Sequence, residues 1–269
     1  MIVDNENGLL LLRHDQLGER QWRSDDCYKL IFSPYGKGIY QTLEGDQSID
    51  QGSFFIFNPE DKHKQLKVHH EKFLIEIQPS FLIEAAEQIG IGTNAPEYAS
   101  VSYRHPQMEQ WMTFVRGFLM TQEAAGASRQ LFLDHSLTQL AILMLEYGAG
   151  SHQTCFPSIH IKGPVNVVMH ALKESYREEW TLNEMAETAG MNKFQLAHLF
   201  KEETGVSPYL WLQVYRLFRS QPSLLHTTEP ILSIALQHGF TSVSSYNQLF
   251  RKVYRKTPTE FRRIHCSRK

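Results

Sequence analysis

Two stretches of the chain set polar and basic side chains at helical spacing beside apolar ones: AGMNKFQLAHLFKEETGVSP at 189–208 and GFTSVSSYNQLFRKVYRKTP at 239–258. In the first, Lys193, Phe194, Ala197, His198 and Lys201 fall opposite Leu196, Leu199 and Phe200. In the second, Ser244, Ser245, Asn247, Gln248 and Arg251 fall opposite Tyr246, Leu249, Phe250 and Val253. The chemistry open to such faces is reading and gripping a polyanion. A carboxamide can pair with an adenine edge, imidazole can donate to guanine, and hydroxyls suit bases or phosphates. Lys and Arg neutralise phosphate.

The elements that would position these faces follow from the same letters. Ala186, Gly190 and Met191 match Ala235, Gly239 and Phe240 at an offset of 49. Leu199, Phe200, Lys201 and Pro208 match Leu249, Phe250, Arg251 and Pro258 at an offset of 50, so the second copy has one extra residue after its glycine. Thr181 and Glu184 have capping-box spacing, Gly190 and Gly239 mark tight turns, and Asn192 and Ser242 are placed as N-caps. Each copy therefore reads as a helix, a turn and a second helix, at about 181–202 and 230–253. A second helix held across a short turn can project its outer face into a major groove, and two such helices suit successive grooves roughly 34–36 Å apart. The charge agrees. Residues 1–163 carry 13 basic and 20 acidic residues, a balance of −7, whereas residues 164–269 carry 14 and 9, a balance of +5. A polyanion partner is expected for the C-terminal part alone.

The remainder reads as a different domain. CYKLIF, GIYQTL, SIDQGSFFIFNP and KFLIEI, within 27–77, are short, rich in aromatic and β-branched residues and separated by turn formers, which favours a barrel or sandwich. Tyr28, Tyr40 and Phe55 lie on these strands and, with His63, are candidate lining for an effector pocket; for His63 a structural hydrogen-bonding role is the preferred reading. Helices follow. Ser80 is placed to cap the first, and a stripe of Met108, Trp111, Met112, Val115, Phe118 and Leu119 marks the second. In the third, about 128–147, Leu133, Leu137, Leu140, Met144 and Tyr147 alternate steps of four and three; this is the spacing of a coiled-coil seam, open to self-association or to packing on the strands. The segment 148–164, rich in Gly, Ser and Pro, reads as the join. The organisation expected is a domain over 1–150, a linker over 151–163 and a helical domain over 164–269.

Other classes find little support. No run approaches the roughly 18 apolar residues of a membrane span, and the N-terminus lacks signal-peptide character, so a cytoplasmic protein is expected. Cys27, Cys155 and Cys266 are widely spaced and odd in number, as reduced thiols would be. The barrel segment has no histidine cluster of the kind a metal oxygenase needs, and no hydrolase elbow or phosphate-binding loop occurs; neither enzyme nor cofactor is expected.

IALQHGFTSVSSYNQLFRKVYRKTPTEFR, with LFKEETGVSPYLWLQVYR upstream, resembles the signature of AraC-type (AraC/XylS) transcriptional regulators over about residues 164–265. Gly52, Pro59 and His63 in QGSFFIFNPEDKH resemble the last part of the small cupin-like barrel that many members carry. The resemblance implies an α+β two-domain chain, with a cupin-like barrel and accessory helices before an all-α double helix-turn-helix domain. It also implies double-stranded DNA as partner, contact with RNA polymerase, and a barrel that binds a small-molecule effector or forms a homodimer. Two departures stand out. Pro222 and Ser220 interrupt a helix that usually runs Arg-Leu-x-x-Ala-x-x-Leu-Leu, and an interior proline is expected to kink or break it. Arg255 occupies the place of Gly205 in the first copy. The runner-up expectation is a ligand- or partner-binding regulator that has lost strong DNA binding, as Pro222 could indicate.

Overall fold

The computed structural model describes residues 1–266 except 15–17, 19–20, 69, 93, 122–125 and 158–162. The chain divides into two compact units, Met1–His152 and Gln153–Lys269. The expected linker over 151–163 coincides only in part with this division. Residues 158–162 lie outside the described ones, and Phe156, before them, is buried against Phe218 of the second unit at a ring separation of 5.7 Å.

Among the described residues the first unit has eight strands: β1 (Ile2–Asn5), β2 (Gly8–Arg13), β3 (Tyr28–Phe32), β4 (Gly38–Thr42), β5 (Gly45–Ile49), β6 (Phe54–Phe57), β7 (His63–Val68) and β8 (Lys72–Ile77). They form a five-stranded sheet ordered β1-β2-β8-β3-β6 and a three-stranded sheet ordered β5-β4-β7. All paired strands are antiparallel. Ile31, Phe55, Phe57 and Leu74 of one sheet meet Tyr40, Ile49 and Val68 of the other in one buried cluster, the inner layer of a sandwich.

The closed barrel expected from the sequence is not formed among the described residues. The β6 edge is bridged by Tyr103, whose carbonyl accepts from Phe54 N at 3.1 Å. The β7 edge is taken by Arg23, which exchanges two 2.9 Å backbone bonds with His63. Edge groups already paired with these segments cannot complete a ladder between the sheets.

Among the described residues the strands are accompanied by the helices α1 (Pro79–Gln88), α2 (Pro106–Met120) and α3 (Gly126–Tyr147). The N-cap of α1 is Gln78, with Pro79 in the first turn, rather than Ser80. The α2 stripe is buried as its spacing requires, except Phe118, which is half-buried and stacks on Phe132 at 3.6 Å. The seam of α3 faces its own chain. Leu133, Leu137, Leu140 and Met144 are buried where α3 packs on α1, α2, β1 and β2. Gly8 of β2 leaves room for Leu137, since a Cβ there would lie 3.2 Å from its Cδ2. The half-buried Tyr147 stacks on His105 at 4.2 Å and its carbonyl accepts from the Tyr103 hydroxyl. Of the two readings the spacing left open, the buried part of the row is core of the first unit, because surface already covered within one chain cannot cover a second copy.

The second unit is helical: α4 (Pro164–Glu174), α5 (Leu182–Thr188), α6 (Lys193–Thr204), α7 (Pro208–His226), α8 (Ile231–Gln237), α9 (Val243–Tyr254) and α10 (Pro258–Cys266). α5–α6 and α8–α9 are the two helix-turn-helix units, and α7 joins them.

Candidate nucleic-acid interface

Each reader helix is started by its own sequence. At α5 the Thr181 side chain accepts from Glu184 N and the Glu184 carboxylate accepts from Thr181 N, a complete capping box. This pulls the Glu184 carboxyl below its ordinary range. α6 begins with a second box, Asn192 with Gln195. α9 begins at Ser242, whose hydroxyl accepts from Ser245 N at 3.1 Å. Such a cap is worth about 1 kcal/mol against alanine. The turns use glycine at positive φ, 64° at Gly190 and 83° at Gly239. Gly239 has a second reason: a Cβ there would come within 2.8 Å of the Arg177 carbonyl.

The inner faces seat the helices. Leu196 and Phe200 of α6 are fully buried, as are Tyr246, Phe250 and Val253 of α9, while Leu199 and Leu249 are half-buried. Around Phe250 the rings of Tyr246, Tyr254 and Phe261 lie at 5.6, 5.2 and 5.2 Å.

The outer faces carry the expected reader residues. Lys193, Phe194, His198 and Lys201 are exposed on α6, and Ser244, Ser245, Gln248 and Arg251 on α9. Four positions differ from the simple expectation. Ala197 and Asn247 are half-buried, on the flank of the exposed stripe. The Ser245 hydroxyl donates to the Ser242 carbonyl at 2.8 Å, so it belongs to the cap as well as to the surface. His198 lies 3.9 Å from Glu202.

What fixes the readers to α7 is a set of polar contacts that spacing did not reveal. The buried Arg216 donates from Nε to the Tyr176 carbonyl at 2.6 Å and from Nη2 to the Glu178 carbonyl at 2.5 Å, tying α7 to the turn before α5. Ser220, fully buried, sits 2.9 Å from the Tyr246 hydroxyl of α9. Gln221 Nε2 donates to the Tyr254 hydroxyl at 2.6 Å. From α10, Arg262 donates to the carbonyls of Leu224 and Glu229 at 2.9 and 2.8 Å. Pro222 does not break the helix: α7 continues to His226. The proline removes one intrahelical bond within the last turns, where Arg262 takes up a carbonyl and the Ser220 and Gln221 contacts hold the helix on α9. Arg255 does stand in the left-handed region, at φ 55°, where Gly205 has φ 83°. This costs about 1 kcal/mol relative to glycine.

His238, buried at the end of α8, has its Nε2 3.4 Å from Ser223 Oγ. Burial, then the nearby Arg177 and Arg219 charges, lower its pKa to about 4 from an ordinary 6.5, with Glu229 opposing. Between pH 6.5 and 4 the unfolded chain therefore binds a proton that the folded chain refuses. The stability present above pH 6.5 is lost as pH falls through that window. The expected loss is on the order of 3 kcal/mol for the second unit. Denaturant melts from pH 7.5 to 4 should show it, and His238→Gln should flatten the curve over that range.

Of the four residues expected to line an effector pocket, Tyr40, Phe55 and His63 meet at the cluster between the sheets and Tyr28 does not. Tyr40 and Phe55 belong to the inner cluster between the sheets, and His63 stacks on Phe57 of that cluster at 4.2 Å. His63 Nδ1 is also 2.8 Å from the Asp61 carbonyl, as a structural residue would be. Tyr28 points to the other face of β3, donating to the Pro96 carbonyl at 2.7 Å and meeting the Tyr98 ring edge-on. A cleft of about 500 Å³ elsewhere in this unit is lined by Trp22, Arg23, Ser24, Leu43 and Lys62.

Two capped helix-turn-helix units on a shared central helix define the class of the second unit, a double helix-turn-helix domain. Residues 185–264 match the family model described as "Helix-turn-helix domain". The C-terminal part of the chain is an AraC-type helix-turn-helix domain. Among curated proteins, the chain is similar to an "Uncharacterized HTH-type transcriptional regulator YbfI" of Bacillus subtilis, 24% identical over 81% of this chain and 78% of that protein. It is 31% identical to the "Virulence regulon transcriptional activator VirF" of Yersinia enterocolitica over 47% of this chain and 48% of the relative. A solved transcriptional regulator with an AraC-type DNA-binding domain, from Chromobacterium violaceum, aligns with 39% of this chain and 95% of its own at 24% identity and a TM-score of 0.37. No helix among the described residues is long and apolar enough to cross a membrane.

Proposed function

We propose that the chain is a sequence-specific DNA-binding transcription regulator, in which α6 and α9 enter successive major grooves and the first unit responds to a small-molecule effector or forms a homodimer. The observation that carries this reading is the pair of matched outer faces, Phe194, Ala197, His198 and Lys201 on α6 and Ser244, Asn247, Gln248 and Arg251 on α9, presented by capped helices held on α7. The excess of basic residues after position 163 supports it, as does likeness to proteins named as transcriptional regulators. Activation through RNA polymerase belongs to the same reading, supported by the partial likeness to an activator. The alternative, a ligand- or partner-binding regulator without strong DNA binding, was suggested by Pro222; the continuous α7 supports the first reading over it.

The test is selection of binding duplexes from a random pool by the full-length chain, followed by gel shifts at two salt concentrations. One preferred sequence should emerge, with affinity that falls steeply as salt rises. Gln248→Ala should relax preference at one position. Arg251→Ala should weaken all sequences alike and reduce the salt slope by about one. Binding indifferent to both sequence and salt would sink the reading.

A further inference from the structure

The two reader faces occupy equivalent positions fifty residues apart but differ in chemistry. Phe194, Ala197, His198 and Lys201 stand where Ser244, Asn247, Gln248 and Arg251 stand in the second copy. At the first two positions the pairs are apolar in α6 and polar in α9. Phe194 is the most exposed of the large hydrophobic side chains among the described residues, with 76% of its surface open to solvent. Asn192 fixes the backbone beneath it, its carboxamide oxygen accepting from Phe194 N at 3.0 Å and from Gln195 N at 2.9 Å. Lys193 Nζ sits 5.5 Å from the centre of the Phe194 ring, which places a cation beside the apolar face. The carboxamide of the next residue, Gln195, is held back toward the cap by a bond from Asn192 N to its Oε1 at 3.3 Å.

Resting on the reading of α6 and α9 as DNA readers, we infer that Phe194 is the specificity-determining residue of the first half-site, and that it selects thymine by apolar contact with the C5 methyl group. In the major groove that methyl is the only apolar feature a base pair presents, and Phe and Ala are side chains suited to it. Ala197, one turn along and half-buried, extends the apolar strip without adding a donor. The second half-site is read by hydroxyl, carboxamide and guanidinium, which need hydrogen-bonding edges instead. The operator is accordingly asymmetric in chemistry: thymine methyls under α6, donor and acceptor patterns under α9.

The experiment removes the methyl and nothing else. A duplex selected from a random pool by the full-length chain is resynthesised with deoxyuridine replacing thymidine, first throughout one half-site and then throughout the other. The half facing α6 is identified by the positions at which Phe194→Ser changes base preference. Each methyl lost under Phe194 should weaken binding about four-fold, the factor set by one buried carbon group, whereas uracil in the α9 half should leave affinity within error. Phe194→Ser should bind the thymine duplex about as weakly as the unmutated chain binds the uracil duplex, with a thymine-to-uracil ratio near one. Phe194→Leu should keep a ratio above one, and thermal melts of both variants check that the domain folds. A selected duplex indifferent to uracil in the α6 half, or a Phe194→Ser variant that keeps the full ratio, overturns the inference while DNA reading stands. A pool that enriches no sequence overturns the DNA-reading proposal, and this inference with it.

Discussion

Phe250→Ala is expected to lower the stability of the second helix-turn-helix unit by about 3–5 kcal/mol, the usual cost of emptying a buried phenylalanine site. Phe250 has no solvent exposure, and three aromatic rings surround it. One of them, Phe261, lies on α10, so the loss spreads beyond α9 to the helix that caps α7. The cavity cannot close cheaply, because Tyr246 and Tyr254 are each held at their hydroxyls, near Ser220 and by Gln221 respectively. A denaturant titration of the full-length chain should show an early transition for the second unit only, and discrimination between DNA sequences should be lost with it. Survival of full sequence preference would mean that α9 does not need this seat.

Leu140→Ala is expected to cost about 2–5 kcal/mol in the first unit and to leave the oligomeric state unchanged at concentrations where the unit stays folded. Leu140 is fully buried, and α3 packs on α1, α2, β1 and β2. Were its row of leucines a seam between chains, shortening one would shift the dissociation constant of a dimer with little effect on the folded monomer. Sedimentation alongside a melting curve separates the two. A change in association without loss of stability would return the row to an interface.

The two readings that this row allows show where sequence patterns lose information. Steps of three and four place residues on one helix face, but they do not say whose surface covers it. α3 is clasped between other helices and a sheet, and a helix covered in this way produces the same letters as a coiled coil. The strand β2 escaped notice for a related reason. In GLLLLR both faces are covered, Leu10 and Leu12 on one side and Leu9 and Leu11 against the inter-sheet cluster on the other, so the alternation that marks a strand is erased. The reader helices were legible because their signals are local: caps within three residues, glycine turns, and an apolar stripe against a polar one. Ser220 and Gln221 were not, since their partners Tyr246 and Tyr254 lie 26 and 33 residues away, and a polar side chain within a helix looks like a solvent-facing one. Pro222 misled in the opposite direction: a strong local rule was outweighed by contacts the rule does not see.

Those contacts on α7 also set a tolerance. Arg216 anchors the turn before α5, which leads into the first reader, and Ser220 and Gln221, little more than one helical turn later, anchor α9. Both attachments lie on one continuous helix, so a change of angle between the readers would have to bend α7 or break one of these contacts. On a duplex, one added base pair between half-sites turns the second by about 34° around the axis. A protein with a slack joint could follow that rotation. Under the proposed reading, inserting one base pair between the half-sites is therefore expected to weaken binding, a change that a gel shift would show.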